Sequence, residues 1–381
     1  MSSIVAKKSI DSIDFFKGVA ILLVVLVHSI QRFSVPYWVT VVPSIGQLGC
    51  QVFFVLSSFS LCLGYSDKVI KYFDFLKRRI SKMIIGYWSM ILFYLFVNLF
   101  FAIRDNEPIH TYLLNPGLLF NFLFLHGFSP NKSIVNGIVR GGWFVGTITI
   151  LYMLFPLLLK VFTIRNHKWN KIKNFVFPIS AYVISCTVFI LLDIFKKGYN
   201  FENNSVSYFS FLNQFPCFTL GFSLFDIYKN NSFVNVKHTL LKFFVCSFVS
   251  LFLFFVEIKN TFIFISFFAA LSFFYIFIFS QKSKGIINKI NSDNSISRII
   301  KELGKISFSV YLTHPIIVHL LIKPIIEKLS EIYSNQIIWY TLLCPVMFVL
   351  SYFLAKAFQW YESIVNKIIK NISTNLFSHK N

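Results

Sequence analysis

Residues 13–33 read IDFFKGVAILLVVLVHSIQRF. An α-helix needs roughly 20 residues, at about 1.5 Å each, to cross the roughly 30 Å apolar core of a bilayer. This stretch is that long, and the run from Val19 to Val27 carries no charge. Lys7, Lys8 and Lys17 ahead of it imitate the start of a secretory signal. However, His28, Gln31 and Arg32 follow with no small-residue cleavage pattern, and further apolar segments come after, so the helix is expected to be retained.

Working outward, the 381 residues are 56% hydrophobic and 19% aromatic with only 13% charged, more apolar surface than one soluble core can hide, so lipid is the fitting solvent. The net charge of +21 does not mark a nucleic-acid binder, because the Lys and Arg residues sit between apolar runs instead of along one face. All six cysteines (Cys50, Cys62, Cys186, Cys217, Cys246 and Cys344) fall inside apolar stretches without C-x-x-C spacing, so they read as small buried hydrophobes and no metal site is expected. Fifty Phe, with much Ile, Asn and Lys, suggest an AT-rich bacterial gene.

The fold class is therefore all-α: a polytopic integral membrane protein of about ten transmembrane helices. The spans are expected near 13–33, 42–65, 83–103, 143–163, 175–193, 208–228, 239–257, 261–280, 306–325 and 337–357. The sixth carries Asn213, Gln214 and Pro216, and the ninth His314, Pro315 and His319. With both termini cytoplasmic, most of the 36 Lys and Arg residues lie inside, including the groups from Lys68 to Lys82 and from Lys282 to Lys305. Residues 1–360 read as one transmembrane domain and 361–381 as a basic cytoplasmic tail, frayed beyond Lys367. The polar segment 281–305 reads as a flexible inner linker. The outer connection 104–142 is too long for a turn; its apolar centre, Leu118 to Leu125, is either an interfacial helix or a re-entrant piece lining an outward-facing cavity.

Ionisable side chains inside spans are costly, so they are candidate functional groups. Eleven residues, almost three whole helical turns, separate Lys17 from His28, so both project from one face about 16 Å apart. Lys17 lies near the cytoplasmic edge and His28 past the midplane. Asp14, one turn before Lys17, is placed to pair with it. Without more, such a His is as well explained by hydrogen bonding to a neighbouring helix.

The run Ile13 to Ala20 ending at His28 resembles the first-helix signature of the membrane acyltransferase 3 family, Arg, ten residues, His. Four further stretches resemble that family in order and spacing. These are Gly49 to Phe59, which includes Ser57; Arg78-Arg79-Ile80-Ser81-Lys82; Trp143-Phe144-Val145 through Tyr152 to Pro156, preceded by the run Asn121 to Gly127; and Leu303 to His314, which includes Tyr311 and Thr313. The chain departs from the pattern at Lys17 for Arg, Ser58 for Gly, Lys82 for Arg, Ile85 for Pro and Ile148 for a Glu found in many relatives. Lys17 keeps the charge but not the bidentate fork of a guanidinium.

The resemblance implies an O-acyltransferase of the bacterial inner membrane. It would move an acyl group, most often acetyl, from cytoplasmic acyl-CoA to a hydroxyl of a surface polysaccharide or lipid-linked sugar. Acetyl-CoA is then a donor substrate and no resident cofactor is implied. Lys17, Arg78, Arg79 and Lys82 would meet the CoA phosphates, although the same cations also suit ordinary positive-inside anchoring. His28 would act either as general base or as an acyl acceptor that passes the group outward. Tyr311 and His314 would contact the donor or position His28, with Asp14, Ser57, Trp143, Tyr152 and Thr313 in support. Helix–helix hydrogen bonding remains the plain alternative for Tyr311 and Thr313, and interfacial anchoring for Trp143. His126 in the outer loop reads as exposed and incidental. An exporter of a glycan intermediate is the alternative function, although no internal repeat supports it.

Overall fold

A computed structural model describes residues 3–129, 131–163, 173–195, 205–230, 236–256, 261–292 and 294–378. Among these, every regular element is helical and no strand forms. The long helices are α1 (Ser3–Ile30), α2 (Gly49–Tyr65), α3 (Tyr72–Arg104), α4 (Trp143–Thr163), α5 (Lys173–Phe195), α6 (Phe211–Lys229), α7 (Val236–Phe255), α8 (Phe262–Lys282), α9 (Ser307–Ile332) and α10 (Gln336–Ser378). A short helix, Tyr37–Ile45, leads into α2, and α9 contains a π-helical turn at Ile317–Ile322. All of the long helices except α6 are long and apolar enough to cross a bilayer.

Helix α6 occupies the sixth expected span, and its polar residues are the reason it is the exception. They are paired inside the bundle. Gln51 of α2 donates to the Gln214 side-chain oxygen at 3.1 Å, Gln214 donates to the Tyr208 carbonyl at 2.6 Å, and Asn213 donates to the Ser266 hydroxyl of α8 at 3.1 Å. Amides that would be expensive against lipid are thereby satisfied where α2, α6 and α8 meet.

Helices α1, α2, α4, α8 and α9 bury half or more of their apolar windows and form the centre, whereas α7 and α10 bury little. Phe244, Phe248 and Phe252 of α7, and Val346, Val349 and Phe353 of α10, are exposed on faces that suit lipid. Small residues set the closest crossings. A Cβ added to Gly18 would strike the Ile300 carbonyl, and one added to Gly304 would strike that of Asp14, which locks α1 against the short helix Ser295–Lys305. Ser58 donates its hydroxyl to the Phe218 carbonyl at 2.5 Å; the room it needs is left by Gly221 on the facing helix.

Two expectations about loose segments are overturned. Residues 284–291 and 295–305 are helices, the second with an N-cap from Asn294 and docked on α1 through its buried face of Ser297, Lys301 and Gly304, with Ile300 against Gly18. The tail expected to fray beyond Lys367 continues α10 without a break as far as Ser378, and 379–381 lie outside the described residues.

Candidate active site

His28 lies on the last turn of α1, where its side chain lines a cavity of about 500 Å³. Its Nδ1 sits 3.0 Å from the side-chain oxygen of Gln31. Since that oxygen only accepts, Nδ1 carries the hydrogen and the Nε2 lone pair is left for another partner. The imidazole of His314, on α9, stands with its ring centre 5.0 Å from that of His28. His314 Nδ1 donates to the Val310 carbonyl at 3.0 Å, and its buried Nε2 has no hydrogen-bond partner. Two imidazoles thus face each other with their lone pairs uncommitted, in a region where polar atoms are normally paired.

The cavity is closed on one side by aromatic rings. Trp143 is stacked on Phe209 at 5.0 Å between ring centres and touches Tyr208, so it is a buried wall residue and not a membrane-interface anchor. Gln47 and Cys50 of the α2 region add to this wall, and the Tyr208 hydroxyl donates to the Gln47 carbonyl at 2.8 Å. Opposite, the end of α9 contributes Pro315 and His319. The π turn begins just beyond Pro315, and its i→i+5 hydrogen bonding brings His319 round to the cavity. Arg32, one turn after His28, donates from Nε to His319 Nδ1 at 2.6 Å.

The connection 104–142 contributes the remaining wall through Asn136, Arg140 and Gly141. Its apolar centre has Leu119 and Leu123 exposed and contributes no lining residue; the cavity is lined instead by residues near the end of the loop. The loop is pinned from beneath by a buried network. Tyr87 of α3 donates to Asn121 Oδ1 at 2.8 Å, and His126 Nε2 lies 2.9 Å from the Gly142 carbonyl. His126 is fully buried, contrary to the expectation of an exposed residue, and burial lowers its pKa from the ordinary 6.5 even though its bond to Gly142 acts to raise it. At the loop's end Gly141 adopts a φ of +77°, a backbone form that favours glycine, and its carbonyl accepts the Tyr311 hydroxyl.

At the other end of α1 the basic groups divide. Arg79 turns inward, its guanidinium 5.4 Å from the Tyr65 ring centre, close enough to Lys17 for its charge to act there; its buried Nε has no partner. Asp14 also acts on Lys17. Tyr152 is in this neighbourhood, hydrogen-bonded to Ser57 and under the influence of Arg79. Arg78 and Lys82 are exposed; Arg78 shares the Tyr65 ring at 5.9 Å and donates to the Asp74 carbonyl, but of the three cations it is Arg79 whose charge acts on Lys17. Thr313 donates to the Ser309 carbonyl of its own helix and does not join the cavity. Ile148, at the position of the relatives' Glu, belongs to the apolar core.

The sequence reading passed over Gln31, Arg32, Arg140 and His319. Signals were available for two of them: Arg32 and His319 both fall inside expected spans, where an ionisable side chain is costly, and Arg32 lies one turn after His28 on its face. Arg140 carried no local signal. Although three histidines converge, no group of three or more His, Cys, Asp or Glu among the described residues can hold a metal ion.

A family model described as an acyltransferase domain, that of acyltransferase 3, matches residues 10–356. No curated protein and no solved structure matches the chain.

Proposed function

The chain belongs to the acyltransferase 3 family of membrane proteins, and from that membership we propose that it transfers an acetyl group from acetyl-CoA to a hydroxyl of a carbohydrate, with His28 as general base. The observation that carries this reading is the committed Nδ1 and free Nε2 of His28 at the wall of a solvent-sized cavity. A neutral imidazole in that tautomer can take the proton from a sugar hydroxyl as its oxygen attacks the thioester carbonyl. The tetrahedral intermediate then expels the CoA thiolate, which recovers a proton from the imidazolium. His314, buried behind the cavity wall, positions the His28 ring through their contact.

The acceptor is a carbohydrate in this proposal because the stacked pair of Trp143 and Phe209 offers an aromatic face to the C–H side of a sugar ring, and Gln47 and Asn136 offer amides to its hydroxyls. The donor approaches from the opposite end of α1. Lys17 and the inward Arg79 are brought together with a single carboxylate, Asp14, which leaves an excess cation for a CoA phosphate. Arg78 and Lys82 would serve only as an outer electrostatic funnel. In the proposed orientation the Lys17 end faces the cytoplasm, as the positive-inside bias requires, and the His28 cavity opens outside.

The test is acetyl transfer by the purified protein from labelled acetyl-CoA to glycan from the native organism. His28→Ala should abolish it at normal protein levels, and transfer retained by that variant removes His28 from the mechanism. Labelled protein accumulating from acetyl-CoA without acceptor would replace the general-base route by an acyl-histidine one.

A further inference from the structure

The His28 cavity holds two guanidiniums that the transfer chemistry leaves unused. Arg32 and Arg140 both line it, 108 positions apart in the chain by their numbers, and the charge of each reaches the other. No acidic side chain is among the residues that line the cavity. Like charges sharing a confined space repel, so this arrangement opposes folding unless something anionic enters.

Neither cation is placed by accident. Arg32 is held through Nε by His319, which fixes the plane of the guanidinium and leaves its terminal nitrogens, unpartnered among the described residues, to present two parallel donors. Arg140 is delivered by a loop that is immobilised on both sides. Behind it the Ile138 amide donates to Asn121 Oδ1 at 3.2 Å, and ahead of it the Gly141 carbonyl is bound by Tyr311. The proposed orientation sharpens the point, because the positive-inside bias clears Lys and Arg from the outer side, and these two stand against it beside the candidate base.

We propose that the acceptor is an acidic carbohydrate, whose oxyanion is gripped by Arg32 and Arg140 so that a neighbouring hydroxyl is presented to His28. The recognition rests on the acyltransferase reading only in its second half; the anion site stands on its own geometry. A carboxylate of a uronic-type sugar and a phosphate ester both satisfy the shared chemistry of a planar or tetrahedral oxyanion between two guanidiniums.

Binding of glucuronate, glucose 1-phosphate and glucose to the purified full-length protein, measured by saturation-transfer NMR with competition, separates these. At least one anion should bind about tenfold or more tightly than glucose, a gap of about 1.4 kcal/mol, and its advantage should shrink with added salt. Preference for glucuronate identifies a carboxylate source, and preference for glucose 1-phosphate a phosphate source. Arg140→Gln should bring the anion down to the level of glucose, while Arg140→Lys, which keeps the charge, should retain part of the preference. Equal binding of all three compounds, or a preference untouched in both Arg140→Gln and Arg32→Gln, overturns the inference. Acetyl transfer is scored separately: loss of transfer to every acceptor would remove the enzymatic reading while the binding result still decides the anion site, and equal transfer to acidic and neutral glycans would do the reverse.

Discussion

At the scale of single residues, the site depends on hydrogen bonds that choose which atom is free. Gln31 determines the tautomer of His28, so Gln31→Leu should lower kcat much more than it raises KM, whereas an acceptor-binding role would raise KM alone; steady-state kinetics decide between the two. Removing the Tyr311 hydroxyl with Tyr311→Phe leaves the Gly141 carbonyl short of its donor, a loss of about 1 kcal/mol that a denaturation midpoint in detergent can read. His126 carries a pH dependence of known sign. Its folded pKa lies below 6.5, so the unfolded chain binds the proton more readily, and its contribution to stability is complete above about pH 6.5 and disappears as pH falls through the lowered value. Thermal midpoints taken from pH 7.5 down to 5 should therefore fall more steeply for the native protein than for His126→Asn. On the donor side, Arg79→Gln should raise KM for acetyl-CoA more than Arg78→Gln or Lys82→Gln does, because only Arg79 turns toward Lys17.

At the scale of elements, small residues decide how closely helices approach. Ser58 reaches the Phe218 carbonyl because Gly221 across the interface provides the space. Gly221→Ala should destabilise by about 1 to 3 kcal/mol through overpacking. The double change Gly221→Ala with Ser58→Gly should recover only part of that loss, because the Val55 carbonyl and the Phe59 amide nitrogen also stand in the way of the added methyl, and two penalties that simply add would show the sites to be independent. The same reasoning accounts for the helix Ser295–Lys305, which a composition rich in Ser, Asn and Lys disguised as a linker. Its apolar positions recur at helical spacing, but the decisive contact, Gly18 against Ile300, joins segments far apart in the chain. Helix α9 departs from a regular helix at 317–322, and that π turn is how His319 reaches the cavity that His28 lines.

At the scale of the whole molecule, a bundle whose central helices are buried and whose peripheral ones expose Phe, Val and Leu is built for lipid on its outside. The proposed orientation is checked by fusions: alkaline phosphatase inserted between residues 105 and 115 should be active, and green fluorescent protein after residue 381 should fluoresce. What the sequence alone determined is the set of apolar spans, the shared face of Lys17 and His28, and the family pattern. Each of these arises from forces acting within one helix, namely bilayer thickness, hydropathy and the 3.6-residue repeat. Only the tertiary structure decided that His314 meets His28, that Arg79 turns in while Lys82 turns out, that His126 is buried, and that Arg32 and Arg140 share one cavity. Those outcomes depend on how each helix is rotated and where a loop is pinned, and both are settled by contacts between separate elements of the chain, which no pattern within one helix encodes.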